Sequence, residues 1–366
     1  MTNLDKNKVV VAMSGGVDSS VAALLMKQAG YEVVGMTLKL WDAPAGEARR
    51  AASCCSVEDI TDARRVADQL GIPFYVVNSK TVFREQVVDR FVQEYLQGRT
   101  PNPCALCNDK VKFDFLLTKA FELGAHYVAT GHYVKKTRDD ATGEWQLKKG
   151  SDEHKDQSYF LFSLGQRQLD HTLFPVGEMS KEEVRNFARE AGLKTSEKPD
   201  SQEICFVADG DHGAFIAKYL QGKTPPPGEF VSESGEVLGN HEGIHRYTVG
   251  QRRGTGVAQG ERVYVKSIDA ATQRIVMSED AELYQSALRA TGVKWVRPVS
   301  DAVEVTAKIR YRHGGSAAIL RLEKSGEAVR VEFREPQRAI TPGQAVVFYR
   351  GDEVLGGGWI ERGIPD

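Results

Sequence analysis

The sequence has no apolar stretch near the roughly 20 residues that cross a bilayer, so a helical membrane protein is not expected. It shows no excess of charge of either sign. The 48 Lys and Arg residues nearly balance 50 Asp and Glu, leaving a net charge of −2. A nucleic-acid partner is thus neither demanded nor forbidden, and any phosphate-binding face must be a local patch. The chain has only five cysteines. The polar start, Met1 to Lys6, runs straight into an apolar stretch and leaves no room for a signal peptide, so a cytoplasmic chain is expected. Cysteines in a reducing compartment make a poor disulfide framework and point instead to metal binding or catalysis. There is no internal repeat and no low-complexity tract. What is present is an ordinary globular balance of 41% hydrophobic and 27% charged residues over 366 positions, enough for two or three domains.

The first half alternates strand-like and helix-like segments. Lys8–Met13 reads as a buried parallel strand. A Ser/Gly turn follows it, then a helical stretch around Val21–Met26 that ends near Gly30. Glu32–Leu38 is a second strand. Ser56–Leu70 is a helix stopped by Gly71, and Pro73–Val77 is a third strand. A helix over Val82–Tyr95, a loop, and a helix over Lys112–Leu123 precede a fourth strand, Tyr127–His132. This order predicts a doubly wound α/β domain with a parallel sheet. Past Phe206 the texture changes. Lys223–Phe230 is turn-rich, and β-branched runs follow at Arg262–Val265, Arg274–Met277, Val303–Ile309 and Val329–Phe333. They predict antiparallel structure ending in a small barrel. The expected boundaries are 1–210, 211–283 and 284–366.

Ser14-Gly15-Gly16-Val17-Asp18-Ser19-Ser20 joins the first strand to the first helix. Two glycines allow a tight turn and close approach to a ligand, and the helix start offers unpaired N–H groups to an anion. The three serines add hydroxyl donors, and Asp18 suits a metal-bound phosphate or the bracing of the loop. No Lys follows the glycines, so this is not a Walker A loop. It is similar to the SGGxDS loop of the PP-loop ATP pyrophosphatases. The bland alternative is a helix-capping turn, disfavoured by the strand before and the helix after. A second glycine string, Gly254 to Gly260, has no following helix and reads as a turn.

Thr100-Pro101-Asn102-Pro103-Cys104-Ala105-Leu106-Cys107-Asn108 reads as a loop, with Cys107 just ahead of a helix whose N-terminus, with Lys110 and Lys112, would favour its thiolate. Cys205 lies in Asp200-Ser201-Gln202-Glu203-Ile204-Cys205-Phe206. Two such thiols suit persulfide chemistry, in which one carries sulfur and the other resolves it. Cys54 and Cys55 are adjacent and fit simple packing. A rival is metal. Cys104, Cys107 and Cys205 could hold an iron–sulfur cluster with one open iron, whereas structural zinc would want a fourth ligand.

Taken in order, Ser14–Ser20, Cys54-Cys55-Ser56, Asn102–Asn108, Ala129-Thr130-Gly131-His132-Tyr133, Lys155-Asp156-Gln157-Ser158-Tyr159, Asp200–Phe206, His245–Gly254 and Gly356–Ile360 make the chain resemble the MnmA family of tRNA-specific 2-thiouridylases, over nearly its whole length. The resemblance implies a PP-loop catalytic domain, a central β-rich domain and a tRNA-contacting barrel. It implies use of ATP and Mg2+ to adenylate the wobble uridine of tRNAs for lysine, glutamate and glutamine, followed by sulfur transfer. Cys205 would carry the persulfide and Cys107 would act as partner nucleophile. Ala12, Met13, Ser14, Gly15, Gly16, Val17, Asp18, Ser19, Leu38 and Gly131 would contact ATP. Asn102, Pro103 and Cys104 would meet the target base. His132, Lys155, Asp156, Gln157, Arg310, Tyr311 and Gln344 would contact tRNA. Partners would be tRNA and a sulfur donor such as a cysteine desulfurase or a relay protein, with no membrane. One departure stands out. Many members carry Asp where this chain has Cys104, which puts a carboxylate role there in doubt and favours the cluster rival, a 4Fe–4S centre on Cys104, Cys107 and Cys205.

Overall fold

Val9, Val10 and Val11 are all fully buried, so both faces of the strand that carries them are covered, as in the middle of a parallel sheet. The structure is a computed structural model that describes residues 4–41, 57–200, 204–207, 210–257, 262–300, 302–323 and 327–364. Cys54, Cys55, Ser56, Ser201, Gln202, Glu203 and Gly260 lie outside the described residues. The chain divides into two compact units, one of residues 1–87, 104–210 and 352–354, the other of residues 88–103, 211–351 and 355–366.

Helices α1 (Val17–Gln28), α2 (Val57–Leu70), α3 (Lys80–Phe83), α4 (Asp89–Leu96), α5 (Pro103–Cys107), α6 (Leu116–Glu122), α7 (Gln166–Asp170), α8 (Lys181–Glu190) and α9 (His212–Tyr219) occur in that order. In the first unit, strands β1 (Asp5–Ala12), β2 (Glu32–Lys39), β3 (Phe74–Asn78), β4 (Ala125–Ala129) and, beyond the hairpin β5 (Val134–Arg138) and β6 (Trp145–Lys149), β7 (Thr172–Leu173) build the sheet. Its order is β3-β2-β1-β4-β7, and every pairing is parallel. Successive strands step outward from β1 on one side, and the chain then crosses to β4 on the other. The switch point between β1 and β4 is where such sheets bind ligands, at the carboxyl ends of the strands.

Local chemistry explains the helices around it. In α2 the buried residues are Ala63, Val66, Ala67 and Leu70, the i, i+3, i+4, i+7 stripe of a helix with one packed face, and Gly71 at φ +63° ends it. Ser180 caps α8 by accepting from the Glu183 amide, and Glu183 answers as a capping box. That cap fixes Lys181 as the first residue of α8.

The second unit contains a sheet of β8 (Gly228–Val231), β9 (Val237–His241), β10 (Tyr264–Asp269) and β11 (Arg274–Ser278), in the order β10-β11-β8-β9. It also contains β12 (Tyr284–Trp295), β13 (Val303–Lys308), β14 (Ser316–Leu322), β15 (Ala328–Arg338) and β16 (Ala345–Arg350), with most of β17 (Glu353–Ile364). These run β12-β15-β14-β13-β16-β17, and an antiparallel β12–β17 pairing closes them into a six-stranded barrel. Closure removes the open edges. Leu288, Val305, Leu320, Val331, Val346 and Ile360 are among the side chains that fill it.

The segment expected as a loop before Lys112 is helical instead. Pro103 opens α5, where its fixed φ and missing N–H cost nothing, and the helix continues through a widened stretch, Asn108–Phe115, into α6. Cys107 therefore ends α5 and does not sit at a helix N-terminus, so the electrostatic argument for its thiolate loses that support.

Candidate active site

The turn after β1 is built to receive an anion. Gly16 occupies the cap of α1 in an extended conformation, with no side-chain hydrogen bond to the first-turn amides. The start of a 12-residue helix thus keeps donors that a Ser or Asp cap would have engaged. The loop is braced from within. The Ser14 amide donates to Ser19 Oγ at 3.1 Å, and the Ser19 and Ser20 hydroxyls donate to the Gly16 carbonyl at 3.1 and 2.8 Å. Gly15 is required twice over, because its φ is +78° and a Cβ there would land on the Asp59 carbonyl of α2. Gly131, at the end of β4, lies flat against the first turn of α1. A Cβ on it would stand 2.7 Å from the Asp18 carbonyl carbon and the Ser19 amide nitrogen. Met13 and Val17 are buried in the core, Ala12 is half-buried and Leu38 packs beside Val10, Val34 and Met36. Those four contribute backbone and shape. These features fit a nucleotide's phosphates at the switch point.

Asp18 points away from the core into a polar chain that the sequence did not announce. Tyr133 Oη donates to Asp18 Oδ1 at 2.6 Å, and Lys181 Nζ contacts both Asp18 oxygens at 2.7 and 2.8 Å. The same ammonium lies 2.8 Å from Asp200, which also receives Lys155 at 2.8 Å and Arg185 at 3.4 Å. Burial would raise the Asp200 pKa, but hydrogen bonds from Lys155 and Lys181 outweigh it and hold the carboxyl below its usual range. Burial, then the Asp18 charge, pushes the Tyr133 phenol up, so it remains a donor. Two residues before Asp200, Lys198 reaches Asp59 at 2.6 Å and Asp62 at 2.8 Å on α2. The chain is thereby held at Lys198 behind the glycine loop and at Asp200 near Asp18. Past Cys205, Phe206 packs on Phe83 at 5.6 Å and on Trp41 at 6.3 Å between ring centroids. Trp41 in turn helps line a cavity of about 230 Å3 with Lys80, Thr81 and Arg84.

The thiols differ in access. Cys104 is exposed, Cys107 is buried and Cys205 is half-buried. Among the described residues the grouping of three metal-donor side chains within 4.8 Å is His126, Asp170 and His171. Cys104, Cys107 and Cys205 are not part of that grouping. Asn108 follows Cys107 at the end of the Asn102–Asn108 motif. It is 3% exposed, its Nδ2 donates to the Phe160 carbonyl at 3.3 Å, and its buried Oδ1 has no partner.

The residues expected at the RNA fall into two groups. In the first unit, Thr130 Oγ1 and His132 Nδ1 are 2.9 Å apart, and burial, helped by Lys112, drops the imidazole pKa well below its usual value, so it is neutral at pH 7. Asp156 accepts from the Gly150 and Ser158 amides and from Ser158 Oγ, and Gln157 Oε1 accepts from the Tyr133 amide. Both thus brace the turn that presents Lys155. In the second unit, Gln344 Nε2 donates to the Thr100 and Pro101 carbonyls at 3.0 and 3.1 Å, fixing the chain into Asn102 and Pro103. Arg310 and Tyr311 are exposed between β13 and β14.

A parallel sheet with a glycine-rich anion loop at its switch point, braced by the Asp18–Lys181–Asp200 chain, defines a PP-loop nucleotide-using enzyme with an appended β-barrel. Three family models match along the chain. Residues 7–209 match the tRNA methyl transferase HUP domain, 213–279 the tRNA methyl transferase PRC-barrel domain, and 285–360 the aminomethyltransferase β-barrel domain. The chain is 51% identical to the tRNA-specific 2-thiouridylase MnmA of Geotalea uraniireducens over 99% of this chain and 97% of the relative. It is 50% identical to that of Geobacter metallireducens over the full length of both. The chain belongs to the MnmA family of tRNA-specific 2-thiouridylases.

Proposed function

We propose that this protein is an ATP-dependent sulfurtransferase that converts the wobble uridine (position 34) of tRNAs for lysine, glutamate and glutamine to 2-thiouridine. The observation that carries the reading is the polar chain Asp18–Lys181–Asp200, which ties the phosphate loop to Asp200, a residue of the same sequence motif as Cys205. The domain descriptions speak of methyl transfer, but a phosphate loop beside a thiol segment suits activation of an oxygen and its replacement by sulfur.

The uracil C2 oxygen is a poor leaving group. Its attack on the α-phosphorus of ATP releases pyrophosphate and makes the oxygen part of AMP, a good leaving group. The Ser14–Ser19 loop and the α1 amides hold the phosphates, and Mg2+ would be met by Asp18. The terminal sulfur of a Cys205 persulfide then attacks C2, and AMP departs with the former uracil oxygen. Cys107 attacks Cys205 Sγ, breaking the S–S bond. The electron pair stays on the sulfur bound to C2, a Cys107–Cys205 disulfide forms, and a cellular dithiol reduces it. Alternatively Cys107 first releases hydrosulfide from the persulfide, and that ion attacks C2. Either route needs a sulfur donor such as a cysteine desulfurase, directly or through relay proteins.

The buried Oδ1 of Asn108 suits a uracil N3–H presented beside Cys107. Lys155 and Arg310 suit phosphates, which position RNA without reading it. Specificity comes from an unstacked anticodon base in a pocket. The half-buried aromatic and cations around Trp41, Lys80 and Arg84 suit a neighbouring nucleotide.

The test is mass spectrometry of anticodon nucleosides after incubation of tRNA, ATP, Mg2+ and a persulfide source with the protein. One 2-thiouridine per tRNA at position 34 is expected. Unmodified uridine there, with ATP consumed, overturns the reading.

A further inference from the structure

β4 and β7 pair in parallel with Val128 beside Thr172 and Ala129 beside Leu173, and His126 lies nearer the N-terminal end of β4. Just ahead of β7, Asp170 ends α7 and His171 follows it, its carbonyl accepting from the Val128 amide at 2.8 Å. One potential ligand atom from each of the three lies within 4.8 Å of the other two. His126 and His171 are half-buried and Asp170 is exposed, so an ion can enter and keep water.

The outer contacts are a second, independent observation. His171 Nδ1 lies 2.9 Å from the His126 carbonyl oxygen. A proton on that nitrogen donates there and leaves the Nε2 lone pair for a metal. Asp170 Oδ1 accepts from Trp145 Nε1 at 3.0 Å, which orients the carboxylate and leaves Oδ2. Metal-bound histidines usually donate their other N–H to a backbone carbonyl or carboxylate, and ligating carboxylates are themselves hydrogen-bonded. The rings are also held. Phe121 meets His171 edge-on at 4.9 Å, and the two imidazoles cross at 4.6 Å between centroids. Lys136, a cation that would compete, is engaged elsewhere. Its Nζ donates to the Leu169 carbonyl at 2.7 Å and lies 4.1 Å above the Trp145 ring centroid.

We propose that His126, Asp170 and His171 form a divalent transition-metal site, separate from the reaction centre, that takes zinc or a close relative through two imidazole nitrogens and one carboxylate oxygen. Imidazole donors select zinc-like ions over Mg2+, which prefers oxygen, and three protein ligands leave a position for water. A bound ion cross-links β4 to the α7–β7 connection at the edge of the sheet. Because it binds the folded unit, it raises stability by mass action.

Co2+ titration of the full-length, chelator-stripped protein tests this, with Co2+ as the spectroscopic stand-in for zinc. One Co2+ per chain is expected, with visible ligand-field bands, no thiolate-to-metal charge-transfer band, and quenched Trp145 emission. Asp170→Asn, at an exposed position that leaves folding intact, should weaken uptake by roughly tenfold or more, and His171→Asn at least as much. Added Zn2+ should raise the melting temperature of the wild type but not of Asp170→Asn. Equal uptake by wild type and both variants, a spectrum dominated by thiolate charge transfer, or no uptake overturns the proposal.

Discussion

Lys181 Nζ contacts both carboxylate oxygens of Asp18, at 2.7 and 2.8 Å, while the same ammonium sits 2.8 Å from Asp200. One cation thus joins the phosphate loop to Asp200. Its side chain is only 11% exposed, so water screens the pairings little. Lys181→Met should lower the rate of ATP-dependent pyrophosphate release by about a hundredfold or more, the scale seen when a preorganised charge is lost. Lys181→Arg should recover part of it. Pyrophosphate release unchanged in Lys181→Met would separate this lysine from the reaction.

The two close approaches to α1 give a steric prediction. Gly131→Ala drives a methyl into backbone of Asp18 and Ser19, and Gly15→Ala drives one into Asp59. Backbone cannot swing aside like a flexible side chain, so each variant should displace the loop. Equilibrium dialysis should show ATP affinity lower by tenfold or more, about 1.4 kcal/mol. Normal ATP binding by both variants would contradict the loop assignment.

The two-thiol route makes a prediction for sulfur alone. Cys107→Ser and Cys205→Ser should each abolish 2-thiouridine formation and leave tRNA affinity within about twofold, since neither thiol is proposed to hold RNA phosphates. Full turnover by either variant would refute the route. Iron and labile sulfide in anaerobically purified protein, lost with Cys104→Ala, would instead favour the cluster rival.

Acid should destabilise the second unit through His245. Its ring is 1% exposed, both nitrogens lack partners, and burial, then Arg246, lowers its pKa to about 4 from an ordinary 6.5. Between those values the unfolded chain binds a proton that the folded one refuses. Stability is therefore intact above pH 6.5 and falls as pH drops toward 4, by roughly 3 kcal/mol at the limit. Urea unfolding at pH 7 and pH 4.5 should show the loss, and His245→Gln should flatten it. The same pH dependence in that variant would assign the effect elsewhere.

Much of this architecture was legible in the sequence because its signals are local. The Lys8–Met13 run, the glycine loop and the Gly30 and Gly71 stops each state a strand, a turn or a helix end within a few residues. The β-branched runs at Val303–Ile309 and Val329–Phe333 likewise announce barrel strands, while those at Arg262–Val265 and Arg274–Met277 announce strands of the neighbouring sheet. What stayed hidden is set by long-range pairing. Lys181 lies 163 positions from Asp18, and on sequence alone it is one lysine of a charged helix start. Gln344 looks like a surface residue until its amide is seen holding the Thr100 and Pro101 carbonyls. Pro103 reads as a helix breaker unless its position at a helix start is known.

On the proposed route, the uracil oxygen leaves as part of AMP after attacking the α-phosphorus of ATP held at the Ser14–Ser19 loop. This is tested most directly with tRNA carrying oxygen-18 at C2 of uridine 34. For each 2-thiouridine formed, one labelled oxygen should appear in the phosphate of AMP. Thiolation that leaves AMP unlabelled would contradict the account.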